Sequence, residues 1–82
     1  MAKIKFFTLL RKATGEQAYE SSARDVGTLL EEVRRRYGDE ITRYLDSCVV
    51  LVNGQNVGHL SGKRTKLSPD DEVSLIPPVA GG

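Results

Sequence analysis

Eighty-two residues make one domain, and a chain this short buries only about 60–65% of its unfolded surface, which leaves little room for a catalytic cavity of its own. Hydrophobic residues form 39% of the chain, enough for a folded core, while twelve Lys and Arg against eleven Asp and Glu leave a net charge of +1, so no overall field favours nucleic acid or an anionic membrane. One cysteine excludes an internal disulfide, and no apolar run has the length of a signal-peptide core or a membrane span, which makes the cytoplasm the expected compartment.

The first predicted strand is Lys3-Ile4-Lys5-Phe6-Phe7, whose alternation sends Ile4 and Phe6 to one face and Lys3, Lys5 and Phe7 to the other. Thr8 to Ala13 fits either an extension of that strand or a turn of helix. Gly15 then marks a reversal before a short, polar second strand over Gln17–Ser22. Asp25 suits a helix N-cap, and Val26, Leu29, Leu30, Val33 and Tyr37 follow at helical spacing on one face. Glu31/Arg35 and Glu32/Arg36 stand four apart in the favourable order, and Gly38 supplies the stop. A short turn of helix is expected around Glu40–Leu45.

Cys48-Val49-Val50-Leu51-Val52 reads as a third strand, with Val50 and Val52 inward and Val49 and Leu51 outward. Asn53-Gly54 is a strong hairpin signal and leads into a short fourth strand over Gln55–Val57. From Gly58 to Lys66 the chain is polar and glycine-containing, a surface connection that Leu60 and Leu67 are expected to pin down. Ser68-Pro69-Asp70-Asp71 suits a type I turn, and Glu72-Val73-Ser74-Leu75-Ile76 alternates as the last strand, with Ser74 and Ile76 outward. This order predicts an α+β domain over residues 1–76, a mixed sheet of about five strands with one main helix on one face.

Residues 77–82, Pro77-Pro78-Val79-Ala80-Gly81-Gly82, are a different kind of sequence. Two prolines fix φ and donate no hydrogen bond, so the six uncharged residues neither continue a strand nor start a helix. An extended arm that reaches about 20 Å is expected, long enough to enter a partner's active site while the body stays outside. Its two glycines give a tip without side chains, suited to a narrow channel. The bland alternative is a frayed terminus. By period-2 counting Phe7, Leu51 and Ile76 share the outer face of the sheet, and a sheet order that makes their strands neighbours would join them into an apolar patch for a partner at the base of the arm.

Other candidates for chemistry are weaker. Cys48 stands in phase with Val50 and Val52 and reads as a small core residue, and His59 has no partner at a catalytic spacing. Arg34-Arg35-Arg36 follows Glu31 and Glu32 and reads as a solvated helix face, not a nucleic-acid site. No metal-ligand spacing and no phosphate-binding glycine loop is present.

Four stretches together resemble the MoaD/ThiS family of ubiquitin-like sulfur carriers: Phe6 to Gly15, Val50 to Gly54, Leu67 to Val73, and Ile76 to Gly82. The Pro-Pro-Val-Ala-Gly-Gly ending and the residues after the first strand look like the MoaD side, the small subunit of molybdopterin synthase. One departure is Pro69-Asp70-Asp71, where an Asp-Gly-Asp is usual. The resemblance implies a β-grasp fold and a carrier with no bound cofactor of its own. It further implies that an ATP-dependent adenylyltransferase, similar to ubiquitin-activating enzymes, makes an acyl-adenylate at Gly82, which a persulfide donor converts to a thiocarboxylate. In molybdopterin synthase the arm Pro77, Pro78, Val79, Ala80, Gly81 would enter the large subunit, and Gly82 would give its sulfur to the pyranopterin precursor of the molybdenum or tungsten cofactor. Alternatives are a protein modifier joined to lysine through Gly82, a carrier for thiamin, transfer-RNA thiolation or cysteine synthesis, and an interaction domain with an inert tail. Neither a nucleic acid nor a membrane is expected as a partner.

Overall fold

A computed structural model describes residues 1–77. Strand β1 (Ala2–Phe6) is followed by a short helix α1 (Leu9–Thr14), then β2 (Ala18–Ser21), the main helix α2 (Val26–Tyr37), a second short helix α3 (Asp39–Leu45), the hairpin β3 (Val49–Val52) and β4 (Gln55–Asn56), two single turns of 3-10 helix, and β5 (Glu72–Ile76). The strands form one sheet in the order β2-β1-β5-β3-β4, in which β1 and β5 are parallel and the other neighbours antiparallel. The α+β expectation and the mixed five-stranded sheet hold. The open choice at Thr8–Ala13 resolves as helix.

One core fills the space between the sheet and the helices. Ile4 and Phe6 of β1, Tyr19 of β2, Val50 and Val52 of β3, and Val73 and Leu75 of β5 meet Leu10, Val26, Leu29, Val33, Ile41 and Leu45 of the three helices. Alternation therefore puts the opposite side chains of every strand on the outer face, as the sequence predicts. Within the core Phe6 stacks on Tyr19 at 5.9 Å between centroids and meets Tyr37 edge-on at 5.4 Å.

Helix α2 begins as its sequence suggests: the Asp25 carboxylate accepts the Thr28 N–H at 2.7 Å, a bond that holds its pKa below the usual value. Gly38, at φ 77°, ends it. The charged pairs differ from the expectation. Glu31 meets Arg34, three residues on, at 3.0 Å, and Arg34 also reaches Asp46 at 3.7 Å. Glu32 instead accepts from the hydroxyls of Tyr19 at 2.8 Å and Ser21 at 3.1 Å, tying α2 to the edge strand β2. Burial and then that hydrogen bond push the Tyr19 phenol well above its ordinary pKa, so it stays a donor. Arg36 lies 4.5 Å over the Tyr19 ring and pairs with Glu16. Neither i,i+4 pair comes within 4.0 Å: Glu31 takes Arg34 on its own helix, while Glu32 and Arg36 turn to partners on or near β2.

The β3–β4 turn has Asn53 at φ 51° and Gly54 at φ 86°, the positive φ at both central positions that the tightest hairpins require. Leu67 is buried, but Leu60 is 43% exposed and does not pin the loop. Thr65 takes that part instead, its hydroxyl accepting the Ser61 N–H at 3.1 Å from a buried position.

Candidate functional site

Strand β5 is the last of the sheet and sits at its centre, between β1 and β3. Its end therefore delivers the chain to Pro77 at the middle of one edge of the domain. The buried apolar residues of all three helices lie on the inner side, so among the described residues the outer face carries the side chains of the strands.

Successive cross-strand rows on that face change character along the strands. Lys3 stands between Glu20 and Glu72. The next row runs Ala18, Lys5, Ser74, Leu51 and Asn56. In the third, at the end where β5 leaves the sheet, Val49 pairs with Ile76. Phe7 is one residue beyond the last paired residue of β1, and its N–H donates to the Leu75 carbonyl at 3.2 Å, which places it on the other side of Ile76. The polar end of the face thus gives way to an apolar row, Phe7, Ile76 and Val49, at the exit of the chain, with Leu51 one step diagonal. Phe7, Leu51 and Ile76 are half-buried and Val49 is 39% exposed.

The sequence reading placed Val49 on this face but did not count it in the patch. Its place on the face was legible from alternation, but the register of β3 against β5 decides which of Val49 and Leu51 meets Ile76, and the sequence does not give that register. Leu51 turns out opposite Ser74.

Two cations flank the Phe7 ring, Lys5 at 5.9 Å and Arg11 at 5.7 Å from its centroid. Arg11 is held by its Nε, which donates to the Phe6 carbonyl at 3.0 Å. Between Phe7 and α1 the chain turns at Thr8, with φ 47° and ψ −119°, closed by the Leu10 N–H on the Phe7 carbonyl at 3.0 Å. A β-branched residue at positive φ is strained by about 1–3 kcal/mol. Thr8→Gly is accordingly expected to raise stability by about 1 kcal/mol. Urea unfolding should show a higher midpoint at unchanged slope, and an unchanged or lower midpoint would contradict the strain.

Pro77 is buried. Pro78, Val79, Ala80, Gly81 and Gly82, the remaining residues to which the sequence reading gives the chemistry, lie outside the described residues.

The described residues offer little catalytic equipment of their own. His59 is exposed in the loop after β4. Cys48 is half-buried against the core, and burial pushes its thiol up to about 11 from 9.0. At pH 8 its thiolate fraction, and with it the rate of alkylation by iodoacetamide, should be about a hundredfold below that of an ordinary thiol. Alkylation as fast as that of free cysteine would refute this burial. Among the described residues, no group of three or more His, Cys, Asp or Glu could hold a metal ion, and no helix is long and apolar enough to cross a membrane.

Comparison with known proteins places this geometry. Residues 4–82 match the model of the ThiS family. Small archaeal modifier protein 3 of Haloferax volcanii is 33% identical over 89 residues, covering 98% of this chain and 97% of that protein. A protein of Archaeoglobus fulgidus, provisionally described as a sulfur carrier, is 35% identical over 71 residues, or 87% and 76% of the two chains. Among solved structures, small archaeal modifier protein 1 of Methanosarcina acetivorans superposes with a TM-score of 0.85 at 30% identity, over 99% of this chain and 95% of that one. The BexX/CysO complex of Amycolatopsis orientalis contains a chain with a TM-score of 0.84 at 25% identity, the two covered in full.

Proposed function

This chain belongs to the ThiS family of ubiquitin-like proteins with the β-grasp fold, a group of small modifiers and sulfur carriers, and on that premise we propose that it works through the carboxyl group of Gly82 as a sulfur carrier. The observation that carries the reading is the apolar row Phe7, Ile76 and Val49 at the edge from which the chain runs on to its Gly-Gly end. On this reading a partner that buries this row takes the last residues of the chain into its own active site.

The chemistry follows from the carboxylate. With a pKa near 3.5 a terminal carboxyl is an anion at neutral pH and a poor electrophile, so it must be activated. A Gly82 oxygen attacks the α-phosphorus of ATP on an adenylyltransferase, and pyrophosphate leaves. The terminal sulfur of a donor persulfide then attacks the acyl carbon and AMP leaves, giving an acyl disulfide. A thiol reduces the sulfur–sulfur bond, is itself oxidised to a disulfide, and releases the Gly82 thiocarboxylate. At the finer level we place the chain as the small subunit of molybdopterin synthase, with the large subunit as the second protein to take the same row; the Pro-Pro-Val-Ala-Gly-Gly ending supports this assignment.

A second reading has a specific observation in its favour, the likeness to small archaeal modifier proteins over nearly the whole chain. In that reading a lysine amine of a target protein attacks the same adenylate, and an isopeptide bond forms as AMP leaves. Both readings require the first step. Pyrophosphate exchange into ATP by the activating enzyme should depend on this chain and vanish when Gly82 is deleted. Exchange that survives the deletion would overturn both. If exchange occurs, high-molecular-weight conjugates lost on the same deletion would favour the modifier.

A further inference from the structure

The edge opposite the apolar row carries a second surface. β2 ends at Ser21 beside Ala2, α2 starts a few residues later, and Lys66–Pro69 leads back to the start of β5, so all three segments gather where β1 and β5 begin. Backbone bonds lace the loop to the entry of α2: the Leu67 N–H donates to the Arg24 carbonyl at 2.9 Å, the Val26 N–H to the Thr65 carbonyl at 3.0 Å, and Asp25 bridges Lys66. Between them lies an open cleft of about 600 Å³ whose apolar lining includes Ala2, Ala23, Leu67 and Pro69.

Arg24 and Lys66 stand at the rim of this cleft, and Lys63 and Arg64 continue the positive charge along the adjoining loop. All four are exposed and, among the described residues, none has a carboxylate within 4.0 Å. Three carboxylates lie nearby and count against the positive charge, but none is within 4.0 Å of these cations: Asp25 caps α2, Asp71 accepts from the Ser68 N–H at 2.7 Å and from Asn53 at 2.9 Å, and Asp70 makes no side-chain hydrogen bond among the described residues. The four cations thus outnumber the three nearby acids and, unpaired among the described residues, border an apolar floor.

We propose that this cleft is a docking site for an acidic peptide segment of a partner protein, its carboxylates at Arg24, Lys66 and the Lys63–Arg64 loop and an apolar side chain on the Ala23–Leu67 floor. Charge complementarity selects the acid, and the floor selects a peptide with an apolar anchor over a bare polyanion. Nucleic acid fits less well. The aromatics Phe6, Tyr19 and Tyr37 are packed into the core, Tyr44 of α3 is half-buried against it, and Phe7 lies at the opposite edge, so no ring lines the cleft for base stacking. Because the cleft and the row at Ile76 are at opposite ends of the strands, both can be occupied at once, and the cleft does not depend on any reaction of Gly82.

The test is an NMR titration of the ¹⁵N-labelled chain with a synthetic peptide of alternating Glu and Leu. Saturable shifts are expected at Ala23, Arg24 and Lys66–Ser68 with none at Phe7, Val49 or Ile76, and Arg24→Glu with Lys66→Glu should weaken binding by about tenfold or more. The milder pair Arg24→Gln and Lys66→Gln should weaken it less while keeping the fold, which serves if the charge-reversed chain is unstable. Shifts centred on Ile76, or affinity indifferent to both pairs, would overturn the site. A single-stranded oligonucleotide that binds these residues more tightly than the peptide would overturn the choice of partner.

Discussion

Ile76→Asp is expected to lower kcat/KM for activation of this chain by at least about 30-fold, while the folded domain keeps its stability to within about 1 kcal/mol. Ile76 is the middle of the apolar row, between Phe7 on β1 and Val49 on β3, and it is half-buried on the face that no helix covers. A partner that desolvates this row would have to bury an unpaired carboxylate in the mutant, which costs far more than the lost side-chain contact. The core side chains of the same strand, Val73 and Leu75, are untouched by the change. Glu20→Gln, on the same face at its polar end, should leave activation unchanged. Equal losses from both substitutions would mean that the face as a whole, and not the row at the exit of β5, meets the enzyme. Thermal unfolding of each variant separates loss of recognition from loss of fold.

The second large effect is on stability. Asn53→Ala should cost about 2–3 kcal/mol and lower Tm by about 10 °C or more. Its amide does two jobs: Nδ2 donates to Asp71 at 2.9 Å, and Oδ1 accepts the Glu72 N–H at 2.9 Å, joining the β3–β4 hairpin to the start of β5. The backbone adds a third, with φ 51° and its own N–H on the Glu72 carbonyl at 2.8 Å. Alanine loses both side-chain bonds and strains at positive φ by about 1–2 kcal/mol. Asn53→Gly keeps the turn and should recover that backbone part alone. If Asn53→Gly were as damaging as Asn53→Ala, the side-chain bonds would account for the whole loss and the turn geometry for none. The sequence marks Asn53 as a turn residue only; its bonds to Asp71 and Glu72 become visible once β5 is seen to run beside β3. Asp71 also closes the Ser68–Asp71 turn, so one carboxylate serves both that turn and the hairpin.

Much of this architecture was readable because single residues carry local rules. Asp25 and Gly38 bracket the main helix, Asn53-Gly54 turns the hairpin, and alternation divides Ile4 and Phe6 from Phe7, and Val73 and Leu75 from Ile76. Local rules failed where distance in sequence hid the partner. Helix α1 has six residues, too few to show a period, and depends on the Thr8 turn, which no residue preference predicts at a threonine. Glu32 looked like one half of a helical ion pair, and its real partners, Tyr19 and Ser21, are 13 and 11 residues away. Leu60 looked like an anchor because it is apolar, yet the Ser61 N–H bond to the Thr65 hydroxyl and the burial of Leu67 already hold the loop. At the site, the face was legible but the pairing was not: Val49, and not Leu51, lies opposite Ile76. The basic ribbon at Arg24 and Lys63–Lys66 was missed because its members come from two segments that only the fold unites.

The central claim is that the body is held by the row at Ile76 while Gly82 is the reacting residue. Intact-mass and peptide-mapping spectrometry of the full chain, incubated with the activating enzyme, ATP and a persulfide donor, tests it most directly. One oxygen replaced by one sulfur, located on Gly82 and strongly reduced in Ile76→Asp, is the expected result. A chain whose mass stays unchanged with an enzyme shown to be active, or a sulfur located on Cys48 instead, would contradict it.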